Sequence, residues 1–321
     1  MTSTIDGSEI GARLRAGDLG AAPLALNVLE SSAPADRERS AALQRALSPA
    51  ALGHEADGHL IGITGPPGAG KSSLLSELVA AWRRRERTVA VLAVDPSSKR
   101  TGGALLGDRA RISFDPRDEG VLIRSTAAAG RLGGLAPATR EAALALAAAF
   151  DVVVVETVGV GQSETDVAEL ADTVAVIVQP GSGDTLQFLK SGIMEVPDVL
   201  VVTKADLGDI ALRARRDLSA ALRSIGGRRT RVLAVSALPP ASGIDELVEA
   251  LDEHRASVDL PARRLRSRRA AALAEFGAEH GERGLRALGG ARAAQRLLDA
   301  ADPGADAPTL VRLLERQAAI A

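Results

Sequence analysis

Seven short runs of β-branched and apolar residues alternate with stretches of helical periodicity, and they constrain the fold more than any other feature of the chain. The runs are LIGIT (60–64), TVAVLAV (88–94), VLIRS (121–125), DVVVVE (151–156), TVAVIV (173–178), DVLVVT (198–203) and RVLAVS (231–236). Several are continuously apolar rather than alternating, which is typical of strands buried on both faces of a mainly parallel sheet. The pattern predicts a doubly wound α/β domain, whose ligands bind beyond the carboxyl ends of the strands.

Helical patterns flank this region on both sides. Residues 8–52 are rich in Ala, Leu, Arg and Glu at helical spacing, with interruptions near Pro34 and Pro49, which predicts two helices. After Pro261 the chain is rich in Ala and Arg without a strand pattern, which predicts a helical arm. We therefore divide the 321 residues into a helical N-terminal extension (1–54), an α/β domain (55–257) and a helical C-terminal arm (258–321).

The composition excludes several classes of protein. The first residues lack the basic start and apolar run of a secretory signal. No apolar stretch approaches the roughly 20 residues of a membrane helix. We therefore expect a cytoplasmic protein with no membrane partner. The absence of cysteine excludes disulfides and thiolate metal sites. The net charge of −2 gives no reason to expect nucleic acid as a partner.

Lysine is scarce in this arginine-rich chain. Of the 39 basic residues only four are lysines, namely Lys71, Lys99, Lys190 and Lys204. A lysine that is kept in such a chain can mark a position that needs a compact ammonium or a flexible stem. Chance placement is the alternative for each of them, so each lysine has to be tested against its surroundings.

A phosphate-binding pattern follows the first predicted strand. Residues 65–72, GPPGAGKS, match G-x-x-x-x-G-K-[ST] and precede the helical stretch SLLSELVAAWRR. The glycines let the backbone curl so that successive N–H groups point at phosphate oxygens. Lys71 would reach the β and γ phosphates, and the Ser72 hydroxyl would ligate Mg²⁺. A plain glycine turn is the alternative. The nucleotide-binding residues expected here are Gly65, Gly68, Ala69, Gly70, Lys71, Ser72 and Ser73.

A candidate base-recognition element follows the run DVLVVT. Its sequence, TKAD (203–206), resembles the N/T-K-x-D element of GTPases. The Asp206 carboxylate can accept hydrogen bonds from both the N1–H and the exocyclic amine of guanine, whereas adenine offers no matching pair of donors. The stem of Lys204 would pack over the base. The next predicted strand leads into an S-A-x element, which in GTPases offers a backbone N–H to guanine, formed here by Ser236, Ala237 and Leu238.

Three acidic residues are candidates for the metal site. Glu156 ends the run DVVVVE, where P-loop proteins hold Mg²⁺ or its water shell. Asp95 ends another run and opens the glycine-rich stretch 96–112, which contains Asp108, and a loop with acids beside the γ-phosphate is what a nucleotide switch requires. Ordinary cap or turn residues are the alternative. The predicted catalytic residues are Lys71, Glu156, Asp95 and Asp108, and the predicted metal ligands are Ser72, Asp95, Asp108 and Glu156.

The combined motifs resemble one family of P-loop GTPases. GPPGAGKSS, AVDPSSKRTGGALLGDRARI, VVVVETVGVGQSETDVAEL, QPGSGDTLQ and TKAD are similar to strings of the MeaB family, which includes the methylmalonic aciduria type A proteins. The resemblance covers roughly residues 55–255. It implies a homodimeric GTPase that uses GTP, GDP and Mg²⁺. It also implies a chaperone that gates cofactor loading and protects or reactivates an adenosylcobalamin-dependent acyl-CoA mutase.

The resemblance assigns a role to a further glycine-rich segment, residues 179–193, which contains Lys190. In the family this segment is a third switch that faces the mutase. Thr185 and Phe188 stand where the family more often has a glutamate and a small residue. From the residues alone, an ordinary strand-to-helix loop is an equally good interpretation.

Other classes of protein share part of the pattern. A nickel metallochaperone GTPase needs Cys or His ligands, and this chain has no cysteine and four dispersed histidines. A P-loop kinase needs a pocket for its phosphate acceptor and usually lacks T-K-x-D. A GTPase of the signal-recognition type needs a methionine-rich module, and this chain has two methionines.

Overall fold

A computed structural model of the chain describes residues 5–95, 112–127, 135–157, 162–181, 197–224 and 230–319, with the side chains of residues 95, 127 and 162–164 outside the description. The strands are β1 (His59–Thr64), β2 (Val89–Asp95), β3 (Val121–Ala127), β4 (Val152–Thr157), β5 (Thr173–Val178), β6 (Val199–Val202) and β7 (Arg231–Ala234). The helices are α1 (Gly7–Arg15), α2 (Ala22–Leu29), α3 (Pro34–Ala46), α4 (Pro49–Leu52), α5 (Lys71–Arg84), α6 (Pro137–Leu146), α7 (Gln162–Leu170), α8 (Asp209–Ser224), α9 (Ile244–Ser257), α10 (Leu260–Ala287), α11 (Ala291–Asp299) and α12 (Ala307–Gln317).

These elements belong to two compact units. The α/β unit comprises His59–Ala136 and Phe150–Val258. The helical unit comprises Met1–Gly58, Pro137–Ala149 and Asp259–Ala321. The helical unit therefore draws on both ends of the chain and on α6, which interrupts the α/β unit between β3 and β4.

Within the described residues, the α/β unit contains one seven-stranded sheet in the order β3-β2-β4-β1-β5-β6-β7, and every adjacent pair is parallel. The runs predicted to be strands all form strands, so the predicted doubly wound parallel fold is confirmed. Strand β1 lies between β4 and β5. The chain places β2, β3 and β4 on one side of β1 and then β5, β6 and β7 on the other side, so the direction of winding reverses at β1. The crevice beyond such a switch point is the usual ligand site of this fold.

Strand β5 shows why the runs are apolar at every position. Ala175 and Ile177 belong to the core that α5 and α9 complete. Val174 and Val176 alternate with them and belong to the core that α8 completes. Because both faces are covered, each position removes apolar surface from water, which stabilises the fold by about 1.5–3 kcal/mol for a fully buried aliphatic side chain.

The N-terminal extension contains more helices than the sequence pattern predicted. Four helices, α1 to α4, occupy the region where two were expected, so that prediction is wrong. The chain turns after α1 at Gly17, whose φ of +75° suits glycine. Pro34 and Pro49 are the first residues of α3 and α4, because proline is preorganised for a helix start.

Helices form the C-terminal region, as predicted, and two of its arginines are structural. Arg264 donates to the carbonyl oxygens of Ala56 and Gly58. Arg268 donates to the Glu55 carboxylate and the Pro303 carbonyl, at 2.8 Å in both cases. These buried guanidinium groups tie α10 to other segments of the helical unit. Among the described residues, no helix combines the length and apolar character needed to cross a membrane.

A polar chain crosses the amino edge of the sheet, where β1 and β5 begin. His59 Nε2 lies 2.8 Å from the Thr173 hydroxyl, and the same hydroxyl lies 2.9 Å from His254 Nδ1. His254 Nε2 lies 3.2 Å from Asp198 Oδ1 at one end of the chain. At the other end, His59 Nδ1 lies 3.7 Å from Asp252 Oδ1, which is too long for a hydrogen bond.

Three protons suffice for the three close contacts of this chain. The Asp198 carboxylate can only accept, and two imidazoles and one hydroxyl supply a proton to each of the contacts of 3.2 Å or less. Burial lowers the pKa of His59 and outweighs Asp252 and Asp172, which favour the charged imidazole. The His59 imidazole is therefore held in its neutral form.

We expect His59 to stay neutral at about pH 6, just below the ordinary pKa of an imidazole, because burial disfavours its charged form. Side-chain ¹⁵N NMR measures this charge state directly. A charged His59 at that pH would contradict the expectation.

Candidate nucleotide-binding site

The loop between β1 and α5 has a positive φ at three glycines, Gly65, Gly68 and Gly70, and such backbone favours glycine. A Cβ at Gly65 would lie 2.1 Å from the carbonyl oxygen of Ile177, and its φ is +146°. Gly70 has a φ of +87° directly before α5, and no side chain caps the first turn of that helix. The first-turn N–H groups of a helix point toward its N-terminal end, and the helix dipole favours negative charge there.

Lys71 occupies the interior of this loop. Its ammonium donates to the carbonyl oxygen of Gly65 at 2.7 Å and to that of Pro66 at 3.3 Å. The Lys71 Nζ also lies 3.8 Å from Glu156 Oε1, and both side chains are buried. The next residues of α5 are more accessible, since Ser72 is half-buried and Ser73 is exposed. The structure thus brings the predicted phosphate-binding lysine beside one of the predicted acids.

The other predicted acids are described only in part. Glu156 lies near the end of β4, beside Ile63 of β1 and Ala93 of β2. Asp95 ends β2 two residues beyond Ala93, so its backbone lies at the same edge of the sheet. The side chain of Asp95 is not described. Several predicted residues lie outside the described part of the chain altogether, namely Lys99, Asp108, Thr185, Phe188 and Lys190.

Thr203 joins the candidate base element to the phosphate loop. Its hydroxyl donates to the carbonyl oxygen of Ala69 at 2.6 Å, with the carbonyl oxygen of Val178 as a second acceptor at 3.1 Å. The Thr203 side chain is buried, and Ala69 is 134 residues away in the sequence. Sequence analysis found the TKAD pattern but missed this contact, because nothing local to residue 203 indicates its distant acceptor.

The second half of the base element lies beside the S-A-x element. The Asp206 carboxylate accepts a hydrogen bond of 2.7 Å from the Ser236 hydroxyl, which in turn accepts one of 3.2 Å from the Leu238 N–H. The Ala205 N–H donates to the carbonyl oxygen of Val235 at 3.0 Å. Asp206 is exposed, and its carboxylate keeps further acceptor capacity. Two segments predicted to contact one base are therefore adjacent.

Sequence analysis also missed a partner of Lys204. The Lys204 ammonium donates to Gln179 Oε1 at 2.6 Å. The only signal in the sequence is position, because Gln179 follows the apolar run TVAVIV and Lys204 closely follows DVLVVT. Residues just past the ends of neighbouring parallel strands meet at the same edge of a sheet.

Known proteins are similar to this chain in sequence. A family model described as methylmalonyl Co-A mutase-associated GTPase MeaB matches residues 23–282. A Mycobacterium bovis protein named "Probable GTPase" is 42% identical over 260 residues, 78% of this chain and 75% of that protein. The mouse protein named methylmalonic aciduria type A homolog, mitochondrial, is 39% identical over 216 residues, 64% of this chain and 52% of that protein.

A solved structure is similar over nearly the whole chain. It is titled "Crystal structure of LAO/AO transport system kinase" and has a TM-score of 0.66 at 29% identity. The similarity covers 98% of this chain and 99% of that one. The family match and this structure both span the α/β unit that carries the phosphate loop and the base element.

Replacing Thr203 by valine is expected to weaken nucleotide binding about 5-fold to 10-fold, because the loss of one hydrogen bond of about 1 kcal/mol frees the base element from the phosphate loop. The measurement is the Kd of a fluorescent GDP analogue. Thr230→Val is the matched control, since Thr230 donates to the Pro197 carbonyl at 3.1 Å, before β6 and β7 begin. Both variants should lose similar stability to urea. Equal Kd values for the two variants would refute the link.

Proposed function

We propose a mutase-chaperone role for this chain on the premise that it belongs to the MeaB family of methylmalonyl Co-A mutase-associated GTPases. It is a P-loop GTPase that binds GTP and GDP. The finer proposal is that it uses Mg²⁺ and couples the nucleotide cycle to cofactor loading and protection of an adenosylcobalamin-dependent acyl-CoA mutase. The family match, which spans the whole α/β unit, is the observation that carries this proposal.

The phosphate end of the proposed site rests on Lys71. Its ammonium donates to loop carbonyl oxygens and lies near the Glu156 carboxylate. The β and γ phosphates of GTP would replace those carbonyls as partners, while the N–H groups of the loop and of α5 bind the phosphate oxygens. In this mechanism Lys71 stabilises negative charge as an attacking water displaces GDP from the γ-phosphate.

The proposed metal ligands fit Mg²⁺ by their chemistry. Ser72, Asp95, Asp108 and Glu156 offer hydroxyl and carboxylate oxygens, which this ion prefers. The buried Glu156 beside the phosphate loop is the structural observation in favour of the assignment. When bound, Mg²⁺ neutralises charge on the β and γ phosphate oxygens. Glu156 also orients Lys71, whose ammonium lies 3.8 Å from its carboxylate.

The base end of the proposed site rests on Asp206. Its carboxylate is held by Ser236 and has acceptor capacity for the two donors of guanine. Lys204 would lie over the base, and the backbone of Ala237 or Leu238 would bind the guanine carbonyl. Adenine offers no matching pair of donors on that edge of the base.

Asp206→Asn is expected to weaken GTP binding roughly 10-fold to 100-fold, because an amide cannot accept from both donors of guanine and a hydrogen bond to a charged group is worth about 1.5–3 kcal/mol. The same variant should gain affinity for xanthosine triphosphate, since xanthine has a carbonyl acceptor where guanine has its amine. Competition binding measures both effects. Asp209→Asn removes a neighbouring exposed carboxylate and is the control. Unchanged selectivity in Asp206→Asn would remove the base assignment.

The partner proposal is tested with purified adenosylcobalamin-dependent acyl-CoA mutases. We expect one of them to form a complex with this protein and to raise its rate of GTP hydrolysis, measured as phosphate release. Lys71→Ala should abolish hydrolysis with or without the mutase, which shows that the activity belongs to this chain. If no candidate mutase forms a complex or stimulates hydrolysis, the chaperone proposal fails while the GTPase assignment stands.

Two further parts of the proposal have simple tests. Homodimer formation through residues 258–321 predicts a dimeric mass by light scattering and a monomer after disruption of that region.

The similar solved structure is titled a kinase, and a kinase would consume GTP and form GDP without releasing an equal amount of inorganic phosphate. We expect GDP and phosphate in equal amounts, as hydrolysis requires.

A further inference from the structure

The ammonium of Lys204 is anchored by Gln179, the first residue of segment 179–193. Gln179 directly follows β5, and its side-chain carbonyl accepts a hydrogen bond of 2.6 Å from Lys204 Nζ. Gln179 is half-buried, whereas Lys204 is exposed. The contact therefore joins a less exposed side chain to the residue expected to lie over the base.

The backbone around Lys204 is already fixed. Lys204 has a φ of +55°, an unusual value for a residue with a side chain. The hydroxyl of Thr203 and the N–H of Ala205 hold its two neighbours in place. The main freedom that remains is in the four-carbon stem of Lys204, and a lysine side chain carries about 2 kcal/mol of rotamer entropy.

The chain directly after Gln179 stays close to the helix that comes after the base element. Gly181 lies near Ile210 at the start of α8, since a Cβ built at Gly181 would lie 3.7 Å from Cγ2 of Ile210. Residues 179–181 therefore lie beside both Lys204 and the start of α8.

We propose that Gln179 is a positioning residue for base recognition, which holds the Lys204 ammonium so that the lysine stem is ordered along one wall of the base site before the nucleotide binds. The inference rests on the proposed guanine site and adds a determinant of its affinity. A neutral amide carbonyl suits this role because it accepts from the ammonium without cancelling its charge. Ordering the stem in advance lowers the entropy lost on binding.

Gln179→Leu is the first test, since the substitution keeps the approximate size of the side chain and removes the acceptor. We expect the KM for GTP and the Kd for GDP to rise about 3-fold to 10-fold, in line with one hydrogen bond of 0.5–1.5 kcal/mol, with kcat within twofold of wild type. Gln179→Glu restores an acceptor and should return the Kd to within twofold of wild type. A Kd for Gln179→Leu equal to that of wild type would overturn the inference.

A double-mutant cycle with Lys204→Met separates positioning from general damage to the fold. In the Lys204→Met background there is no ammonium to hold, so Gln179→Leu should have no further effect on the Kd. Independent effects that multiply in the double variant would overturn the inference. Failure of the proposed guanine site has a different signature, because wild type itself would then bind GDP and ADP equally well.

Discussion

Because the central strands are covered on both faces, their side chains are occupied with packing, and only the ends of the strands are left to carry chemistry. This constraint places the phosphate loop after β1, an acid at the end of β4, an amide after β5 and the base element after β6. Parallel strands deliver all of these ends to one edge of the sheet. A site of many parts is thereby assembled from short segments that are far apart in the sequence.

Charge is balanced locally at the phosphate end of that edge. A buried ammonium without partners would be expensive, but Lys71 is satisfied by two carbonyl oxygens of its own loop and lies near Glu156. The same loop is too tight for a side chain at its first position, since a Cβ at Gly65 would collide with the backbone of Ile177. The loop therefore holds its lysine inside a tight turn.

The base end of the site depends on a few hydrogen bonds between loops. The Thr203 hydroxyl connects the base element to Ala69 of the phosphate loop, and the Ser236 hydroxyl fixes Asp206. Gln179 adds a third link through Lys204. In the proposed site, loops rather than the packed strands would hold both ends of the nucleotide.

The sequence by itself determined the parts that depend on local physics. It determined the seven strands, because continuous apolar runs need burial on both faces. It determined the phosphate loop, because the glycines and the lysine of that loop are required at fixed spacing. It also predicted that Asp206 and Ser236 belong to one base site, and the structure brings the two side chains into hydrogen-bond contact. It did not determine the four N-terminal helices, the inclusion of α6 in the helical unit, or the contacts of Thr203 and Gln179. Those features depend on which distant segments become adjacent, and strand order and packing decide that only in the folded chain.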